Sequence, residues 1–178
     1  RADSGQIPLT LEKVDVGELA AGVLEQMRPM AEEKGLELRL ESGPRVILRA
    51  DEDLLLQLML NLLDNAIKYT PKNGEISVIV SKKGNDVISQ IADNGYGIPK
   101  EQQGRIFQKF FRAENVSKVE TDGTGLGLYL IKAIVESSGG KIWFESEENK
   151  GTSFWFTIPL SGMKAKEGGT VVGIALED

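Results

Sequence analysis

The sequence predicts an α/β fold, specifically an α+β two-layer sandwich in which helices pack on one face of a mixed, largely antiparallel sheet. Helical and strand-like segments interleave along the chain, which favours a fold that combines both. Several neighbouring strands are separated only by short turns, as in antiparallel hairpins. The composition, 178 residues with 40% hydrophobic and 27% charged, fits one globular domain with a single core.

The first half of the chain predicts two capped helices with short strands between them. Asp15 caps the first helix, Glu18 completes a capping box, and Gly35 ends it. Asp51 caps the second helix. The elements expected here are a helix at 15–35, strands at 36–41 and 45–49, and a helix from 51 to about Tyr69.

The second half predicts two hairpins on either side of a glycine-rich helix. The polar stretch 112–124 has no hydrophobic period and is expected to be a loop. Asn149 to Gly151 is expected to be the turn of the last hairpin. The elements expected here are strands at 75–80 and 86–93, a short helical stretch at 99–111, a helix at 125–138, and strands at 141–147 and 152–159.

The composition excludes several classes of function. The chain has no cysteine and no histidine, so it holds neither a disulfide nor a histidine-dependent catalytic or zinc site. Its formal net charge of -6 argues against nucleic-acid binding, because phosphate backbones are bound by clustered Lys and Arg. Without an apolar run of about 18 residues or a signal-peptide pattern, we expect no direct membrane contact.

The second helix carries an unusual polar arc. Its other positions are almost all apolar, so it is expected to be largely buried. The arc is either its solvent face or a binding surface. Asn61 and Asn65 favour the second interpretation, because two amides four residues apart are poor helix formers but good oxygen ligands for a hard cation. The arc consists of Gln57, Asn61, Asp64, Asn65 and Lys68.

The segment "IADNGYGIP" at the end of a strand has two interpretations. Asn94 and Gly95 form a dipeptide that is common in tight turns. Alternatively, Asp93 accepts a hydrogen bond from the exocyclic amine of a base, while Gly95 and Gly97 let the backbone approach a flat ring. A carboxylate accepts but does not donate, so such a pocket would favour adenine over guanine.

Two further segments have a structural and a functional interpretation. "DGTGLGL" is either a flexible hinge or a phosphate-binding loop, since the first turn of a helix offers free N–H groups and residues without a Cβ admit phosphate oxygens. "RIFQKFFRAE" is either an amphipathic helix or the anchor of a lid, in which Arg112 or Lys109 faces phosphate.

These four segments, in this order, resemble the ATP-binding catalytic domain of sensor histidine kinases, in the superfamily shared with gyrase, the heat-shock chaperones and the mismatch-repair ATPases. "NLLDNAIKYT" is similar to the family's N box, "DNGYGIP" to its first glycine box, "IFQKFF" to its F box and "GTGLGL" to its second glycine box. "GTSFWFTIPL" is similar to the strand that closes the domain. The resemblance covers about residues 50–160.

The resemblance implies ATP and Mg²⁺ as cofactors and gives each site residue a role. Asn65 is the implied metal ligand and Asn61 its support, with Lys68 and Arg112 near phosphate. Asp93 is expected to bind the adenine amine beside Tyr69. The remaining nucleotide-binding residues that the resemblance implies are Gly95, Gly97, Ile98, Phe107, Gly123, Thr124, Gly125, Leu126, Gly127, Leu128 and Thr152.

One position separates the subfamilies. Hydrolysing relatives place a water-activating Glu four residues before the metal-binding Asn, where this chain has Asn61. Efficient hydrolysis is therefore not expected, whereas phosphoryl transfer relies mainly on alignment and charge neutralisation. A serine-type or anti-sigma kinase with the same pocket and a degenerate interaction module remain alternatives to the histidine kinase.

The same resemblance implies the domain organisation and partners. Residues 1–14 are expected to be the linker from an upstream dimerisation and phosphoacceptor domain, because this chain has no acceptor histidine. Residues 15–160 are the expected ATP-binding domain, and 161–178 form a tail without an assigned role. We expect a cytoplasmic domain of a longer protein, and this domain is expected to be monomeric in isolation. It is expected to work with its upstream domain and a response regulator, in a parent protein that is either soluble or membrane-anchored.

Overall fold

A computed structural model of the chain describes residues 7–109, 111, 127–163 and 170–171. Among these residues, helices and strands alternate as the sequence predicts. The elements are β1 (Ile7–Pro8), β2 (Glu12–Asp15), α1 (Val16–Glu33), β3 (Glu37–Ser42), β4 (Ile47–Ala50), α2 (Glu52–Lys68), β5 (Glu75–Lys83), β6 (Asp86–Asp93), a 3-10 helix (Lys100–Arg105), α3 (Gly127–Ser137), β7 (Ile142–Glu147), β8 (Gly151–Pro159) and β9 (Thr170–Val171).

The main sheet has five strands in the order β3-β5-β6-β8-β7. Only the β3–β5 pair is parallel; β5–β6, β6–β8 and β7–β8 are antiparallel. Alternate residues of the strands, such as Val78, Ile91 and Phe156, form one buried cluster with the apolar sides of α1, α2 and α3. The opposite face carries the stacked rings of Trp143 and Trp155. The predicted two-layer sandwich with helices on one face is therefore confirmed.

The predicted helix caps are present. The Asp15 side chain accepts from the Glu18 N–H at 3.0 Å, and Asp51 accepts from the Leu54 N–H at 3.1 Å. Each bond satisfies a backbone donor that has no partner inside its helix. Gly35 follows α1 with a φ of +65°, a conformation that glycine adopts without strain.

The structure differs from the sequence prediction at the start of the domain. Part of the predicted connector is β2, which pairs with β4 in a separate two-stranded sheet. The predicted strand at 45–49 therefore does not join the main sheet. Periodicity identifies a strand but not its partner, and this pairing joins residues far apart in the chain.

Two other predictions are only partly matched. The helical stretch expected at 99–111 is a 3-10 helix over Lys100–Arg105, followed by turns. In the tail, the two residues of β9 pair with β1, and Met163 is buried in the core with 4% of its surface exposed. No helix within the described ranges is long and apolar enough to cross a membrane.

Candidate functional site

The second helix, α2, is buried on its apolar side and carries the predicted polar arc on the other. The arc residues lie outside the core: Gln57 is exposed, and Asn61, Asp64, Asn65 and Lys68 are half-buried. The buried side chains of α2 are Leu54, Leu55, Leu58, Met59, Leu62, Leu63, Ala66 and Ile67. Packing on the sheet therefore fixes the direction in which the arc points.

The two amides of the arc present oxygen atoms. Asn61 donates one of its two Nδ2 protons to the Gln57 carbonyl at 3.0 Å, which turns the nitrogen towards its own helix and leaves Oδ1 for another group. Among the described residues, the Asn65 side chain makes no hydrogen bond, although its backbone carbonyl accepts from the Tyr69 N–H at 3.0 Å. A half-buried amide of this kind is suited to a cation or a polar ligand.

Lys68 forms an ion pair on its own helix. Its Nζ lies 3.1 Å from Oδ2 of Asp64, and both side chains are about one-quarter to one-third exposed, at 25% and 30%. The carboxylate holds the ammonium group beside the amides and partly neutralises its charge. Lys68 is thus placed within the arc, as expected, but with a protein partner that the sequence analysis did not anticipate.

Asp93 ends β6 and is held by two backbone N–H groups. Oδ1 accepts from Gly95 at 2.8 Å and from Thr152 at 3.2 Å. Both bonds end on Oδ1, so within the described ranges Oδ2 is left for a ligand. Burial raises the pKa of this carboxyl to about 6, although the two hydrogen bonds favour the charged form.

The segment after Asp93 docks on the end of α2. Tyr96 donates its N–H to the Tyr69 carbonyl at 3.0 Å. A Cβ on Gly95 would collide with that same carbonyl oxygen, so only glycine allows this approach. Tyr69 directly follows α2, one turn beyond Asn65. The contact therefore brings the segment of Asp93 and the helix of Asn65 together.

Gly97 makes a second close approach, to the β7–β8 turn. It has a φ of +68°, and a Cβ there would collide with the Glu147 carbonyl. Asn149 donates its N–H to the Tyr96 carbonyl at 2.6 Å. The sequence predicts that Gly95 and Gly97 let the backbone approach a ligand ring. In the structure, both glycines are required by close contacts between backbone segments.

A hydroxyl cluster that the sequence analysis did not identify joins this loop to the hairpin. Ser146 Oγ accepts from the Ile98 N–H at 2.8 Å and lies 2.8 Å from the hydroxyl of buried Thr152. Gln103 donates to the carbonyls of Ile98 and Ser146, each at 3.0 Å. The alternation of "IWFESE" places Ser146 on the inward face with Ile142 and Phe144, which is the signal that could have identified it.

Phe107 anchors the segment that follows. Its ring meets Phe144 and Phe154 edge-on, with centroids 6.0 Å and 6.3 Å apart. Lys132 Nζ lies 5.0 Å from the Phe107 centroid, which ties α3 to the same cluster. Phe107, the first aromatic residue of "RIFQKFF", therefore packs on β7 and β8.

The described part of the glycine-rich segment begins at α3. Gly127 has open space where a Cβ would project, and half-buried Leu128 packs against the core. The other predicted residues of this region, Arg112, Gly123, Thr124, Gly125 and Leu126, lie outside the described residues. The predicted site residues within the described ranges therefore lie on α2, at the end of β6 and in the loop after it, at Phe107, at the start of α3 and at the start of β8.

Comparison with known proteins identifies the family. Residues 50–162 match the family described as histidine kinase-, DNA gyrase B-, and HSP90-like ATPase. The chain belongs to this family. The match begins just before α2 and ends just after β8, so it contains every predicted site residue.

The curated relatives that match are sensory kinases. The adaptive-response sensory kinase SasA of Rippkaea orientalis is 41% identical over 145 residues, covering 80% of this chain and 36% of the relative. The circadian input-output histidine kinase CikA of Synechococcus elongatus is 36% identical over 160 residues, covering 88% of this chain and 21% of the relative. The chain thus spans about a third or less of these relatives.

Solved structures of histidine kinases share the fold. The catalytic domain of histidine kinase ThkA matches with a TM-score of 0.74 and 31% identity, covering 85% of this chain and 96% of that one. Full-length ShkA in complex with AMPPNP matches with a TM-score of 0.76 and 34% identity, covering 92% of this chain and 33% of that one. The chain therefore has the ATP-binding domain of the sensor histidine kinase type.

Proposed function

We propose that this chain holds Mg-ATP and donates the γ-phosphoryl group to a histidine on a separate domain of the same protein. The observation that carries the proposal is the contact of Gly95 and Tyr96 with the Tyr69 carbonyl. It ties the segment that follows Asp93, a carboxylate suited to an adenine amine, to the end of the helix that carries Asn65, an amide suited to a metal. Neither group alone would indicate a nucleotide.

Asp93 is the proposed base-binding residue. Its Oδ1 is fixed by the N–H groups of Gly95 and Thr152, so Oδ2 has a defined direction. An ionised carboxylate accepts a hydrogen bond from the adenine amine but cannot donate one to the keto oxygen of guanine. Tyr69, Gly97 and Ile98 complete the proposed base pocket. Phe107 anchors the segment that precedes the lid proposed at 112–124.

Asn65 is the proposed Mg²⁺ ligand. Mg²⁺ in nucleotide sites takes one or two protein oxygens and otherwise phosphates and water, and the described residues contain no cluster of three or more carboxylates that would hold it alone. The half-buried amide of Asn65, supported by Asn61, fits that donor set. When bound, the ion neutralises phosphate charge; Lys68, Arg112 and the glycines from Gly123 to Gly127 are proposed to contact the phosphates.

The same residues favour transfer over hydrolysis. Asn61 occupies the position where hydrolysing relatives are expected to have a glutamate, and an amide does not accept a proton at neutral pH. Asn61 instead donates an amide proton to the Gln57 carbonyl. The proposed site would hold and align a triphosphate, which is most of what phosphoryl transfer requires of a protein.

The acceptor histidine must come from outside this chain, which contains no histidine. We propose that an upstream dimerisation domain supplies it, that the part of residues 1–14 ahead of β2 is the linker to that domain, and that a response regulator receives the phosphoryl group in the cytoplasm. A solved complex of the histidine kinase ThkA with the response regulator TrrA, 28% identical to this chain with a TM-score of 0.70, supports the kind of partner.

Calorimetry with a non-hydrolysable ATP analogue and Mg²⁺ tests the site. Asp93→Asn replaces an acceptor oxygen by a donor and should weaken binding at least about tenfold, the equivalent of one hydrogen bond. Asn65→Asp adds a charge beside the phosphates and should also weaken binding. The matched controls are Asp86→Asn, at the other end of β6, and Asn85→Asp in the exposed β5–β6 turn.

The two variants separate the two assignments. Unchanged affinity in Asp93→Asn would remove the adenine assignment, and an unchanged dependence of binding on the Mg²⁺ concentration in Asn65→Asp would remove the metal assignment. Transfer from labelled ATP to a separate histidine-containing acceptor domain, giving an acid-labile product, would distinguish the histidine kinase from a kinase that phosphorylates a hydroxyl group.

A further inference from the structure

Ser146 sits at the centre of the hydroxyl cluster behind the proposed base pocket. Its Oγ contacts three groups: the Ile98 N–H at 2.8 Å, the Gly151 carbonyl at 3.1 Å and the Thr152 hydroxyl at 2.8 Å. The sequence motifs do not include this residue. It connects the loop after Asp93, which runs to Ile98, with the first residues of β8.

The three contacts can all be hydrogen bonds in only one arrangement of protons. A serine hydroxyl has one proton to donate and two lone pairs to accept with. The Gly151 carbonyl can only accept, so the Ser146 proton must point there. The Ile98 N–H can only donate, so it uses one lone pair. Ser146 then has a single lone pair left for Thr152, and Thr152 must be the donor of the 2.8 Å bond.

This arrangement fixes the hydrogen-bonding direction of the Thr152 hydroxyl group. Its own proton is committed to Ser146, so its hydroxyl can offer only lone pairs to any other group. Thr152 is also the cross-strand partner of Asp93, and its N–H binds Oδ1 of that carboxylate. The two side chains adjoin at the same end of the sheet, and both then present acceptors.

We propose that Ser146 is a positioning residue that orients the Thr152 proton and so makes the base pocket reject purines with a keto group at C6. This rests on the proposed function, in which Asp93 faces the base. An adenine amine donates hydrogen bonds and meets two acceptors. The C6 oxygen of guanine would face the same two acceptors, with no donor to replace the hydrogen bonds that it loses from water.

The test measures a ratio of affinities. Non-hydrolysable analogues of ATP and GTP are titrated into the chain with Mg²⁺, and the Kd for the GTP analogue is divided by that for the ATP analogue. In Ser146→Ala the Thr152 proton is released and can turn towards the base, so the ratio should fall about tenfold. Ser146→Thr keeps a hydroxyl group and should restore most of the ratio. Ser153→Ala, on the opposite face of β8, is the matched control.

A double-mutant cycle separates positioning from general support of the fold. Thr152→Val removes the hydroxyl but keeps the shape of the side chain, so Ser146→Ala should change the ratio no further in that background. An unchanged ratio in Ser146→Ala, or an equal change with and without the Thr152 hydroxyl, would overturn the proposal. If Ser146→Ala does not fold, the ratios of Ser146→Thr and Thr152→Val still decide: Thr152→Val should lower the ratio and Ser146→Thr should not.

Failure of the proposed function gives a different result. A wild-type chain that binds neither analogue would remove the nucleotide site itself. A wild-type chain that binds the ATP analogue, whose preference is insensitive to Ser146, would keep the site and remove only the role of this hydroxyl.

Discussion

Asp93 combines a proposed binding role with a cost to stability. Its carboxylate is half-buried, and burial raises its pKa to about 6, above the ordinary value of 3.8. A raised pKa means that the native state disfavours the charged form. Between about pH 4 and pH 6 the native chain therefore binds more protons than the unfolded chain, and the contribution of this group to stability falls as pH rises.

Replacement by Asn should therefore stabilise the unliganded chain. At pH 7.5, Asp93→Asn is expected to raise the free energy of unfolding by on the order of 3 kcal/mol, because the pKa of Asp93 rises from 3.8 to about 6 and a shift of one pKa unit corresponds to about 1.4 kcal/mol. The gain should shrink as pH falls through 6 and vanish below about pH 4, where the carboxyl is protonated in both states. Chemical denaturation at several pH values without nucleotide measures this difference.

The pH dependence is the decisive part of that experiment. Asp86→Asn, on the same strand, is the control for exchanging a carboxylate for an amide. If Asp93→Asn were less stable than the wild type at pH 7.5, the carboxylate would be contributing more through its two backbone bonds than it loses by burial. The same variant is expected to lose nucleotide affinity, so stability and binding should change in opposite directions.

The helix α2 connects the proposed site to the start of the domain through Asp51. One carboxylate oxygen of Asp51 caps the helix at the Leu54 N–H, and the other accepts from the Thr10 N–H at 2.9 Å. The side chain is buried, with 7% of the residue exposed. A single carboxylate thus serves both the helix of Asn65 and the chain that enters the domain.

Two substitutions should separate these bonds. Asp51→Ala loses both and leaves the buried Leu54 N–H and the partly buried Thr10 N–H without partners, so it should cost on the order of 2–3 kcal/mol of unfolding free energy. Asp51→Ser can still cap the helix and should cost about 1 kcal/mol. Asp53→Ala, exposed in the same first turn, should cost less than either. Equal losses in the Ala and Ser variants, by chemical denaturation, would show that the cap contributes little.

The arrangement of the domain extends past the stretch that the family shares. The family match ends at residue 162, yet Met163 is buried in the core and its N–H donates to the Arg49 carbonyl at 2.8 Å. Its sulfur also lies 3.4 Å from the Asp51 backbone nitrogen. The chain after β8 therefore closes over β4 and the start of α2. The boundary expected at residue 160 omits this contact.

Removing this side chain should destabilise the fold. Met163→Ala leaves a cavity in the core and is expected to lower the unfolding free energy by about 2–3 kcal/mol. Met30→Ala is the matched control, because that side chain is 37% exposed in α1. Thermal melting of the two variants measures the difference. Equal melting temperatures would place Met163 outside the cooperative core.

The sequence by itself determined the fold class, the caps at Asp15 and Asp51, the polar arc of α2 and the absence of an acceptor histidine. These properties follow from local rules: side-chain period, hydrogen bonds within a few residues, and composition. They also sufficed for the resemblance to sensor histidine kinases, since its motifs are short and contiguous.

Only the tertiary structure decided the pairing of β2 with β4, the reason for Gly95 and Gly97, and the hydroxyl cluster around Ser146. Each depends on a contact between segments distant in sequence, or on which of several acceptors a group selects once the chain is folded. A serine in a strand has no distinguishing pattern, because its role is set by the three groups that surround it. Local sequence specifies elements, whereas burial and the sharing of protons across elements specify the site.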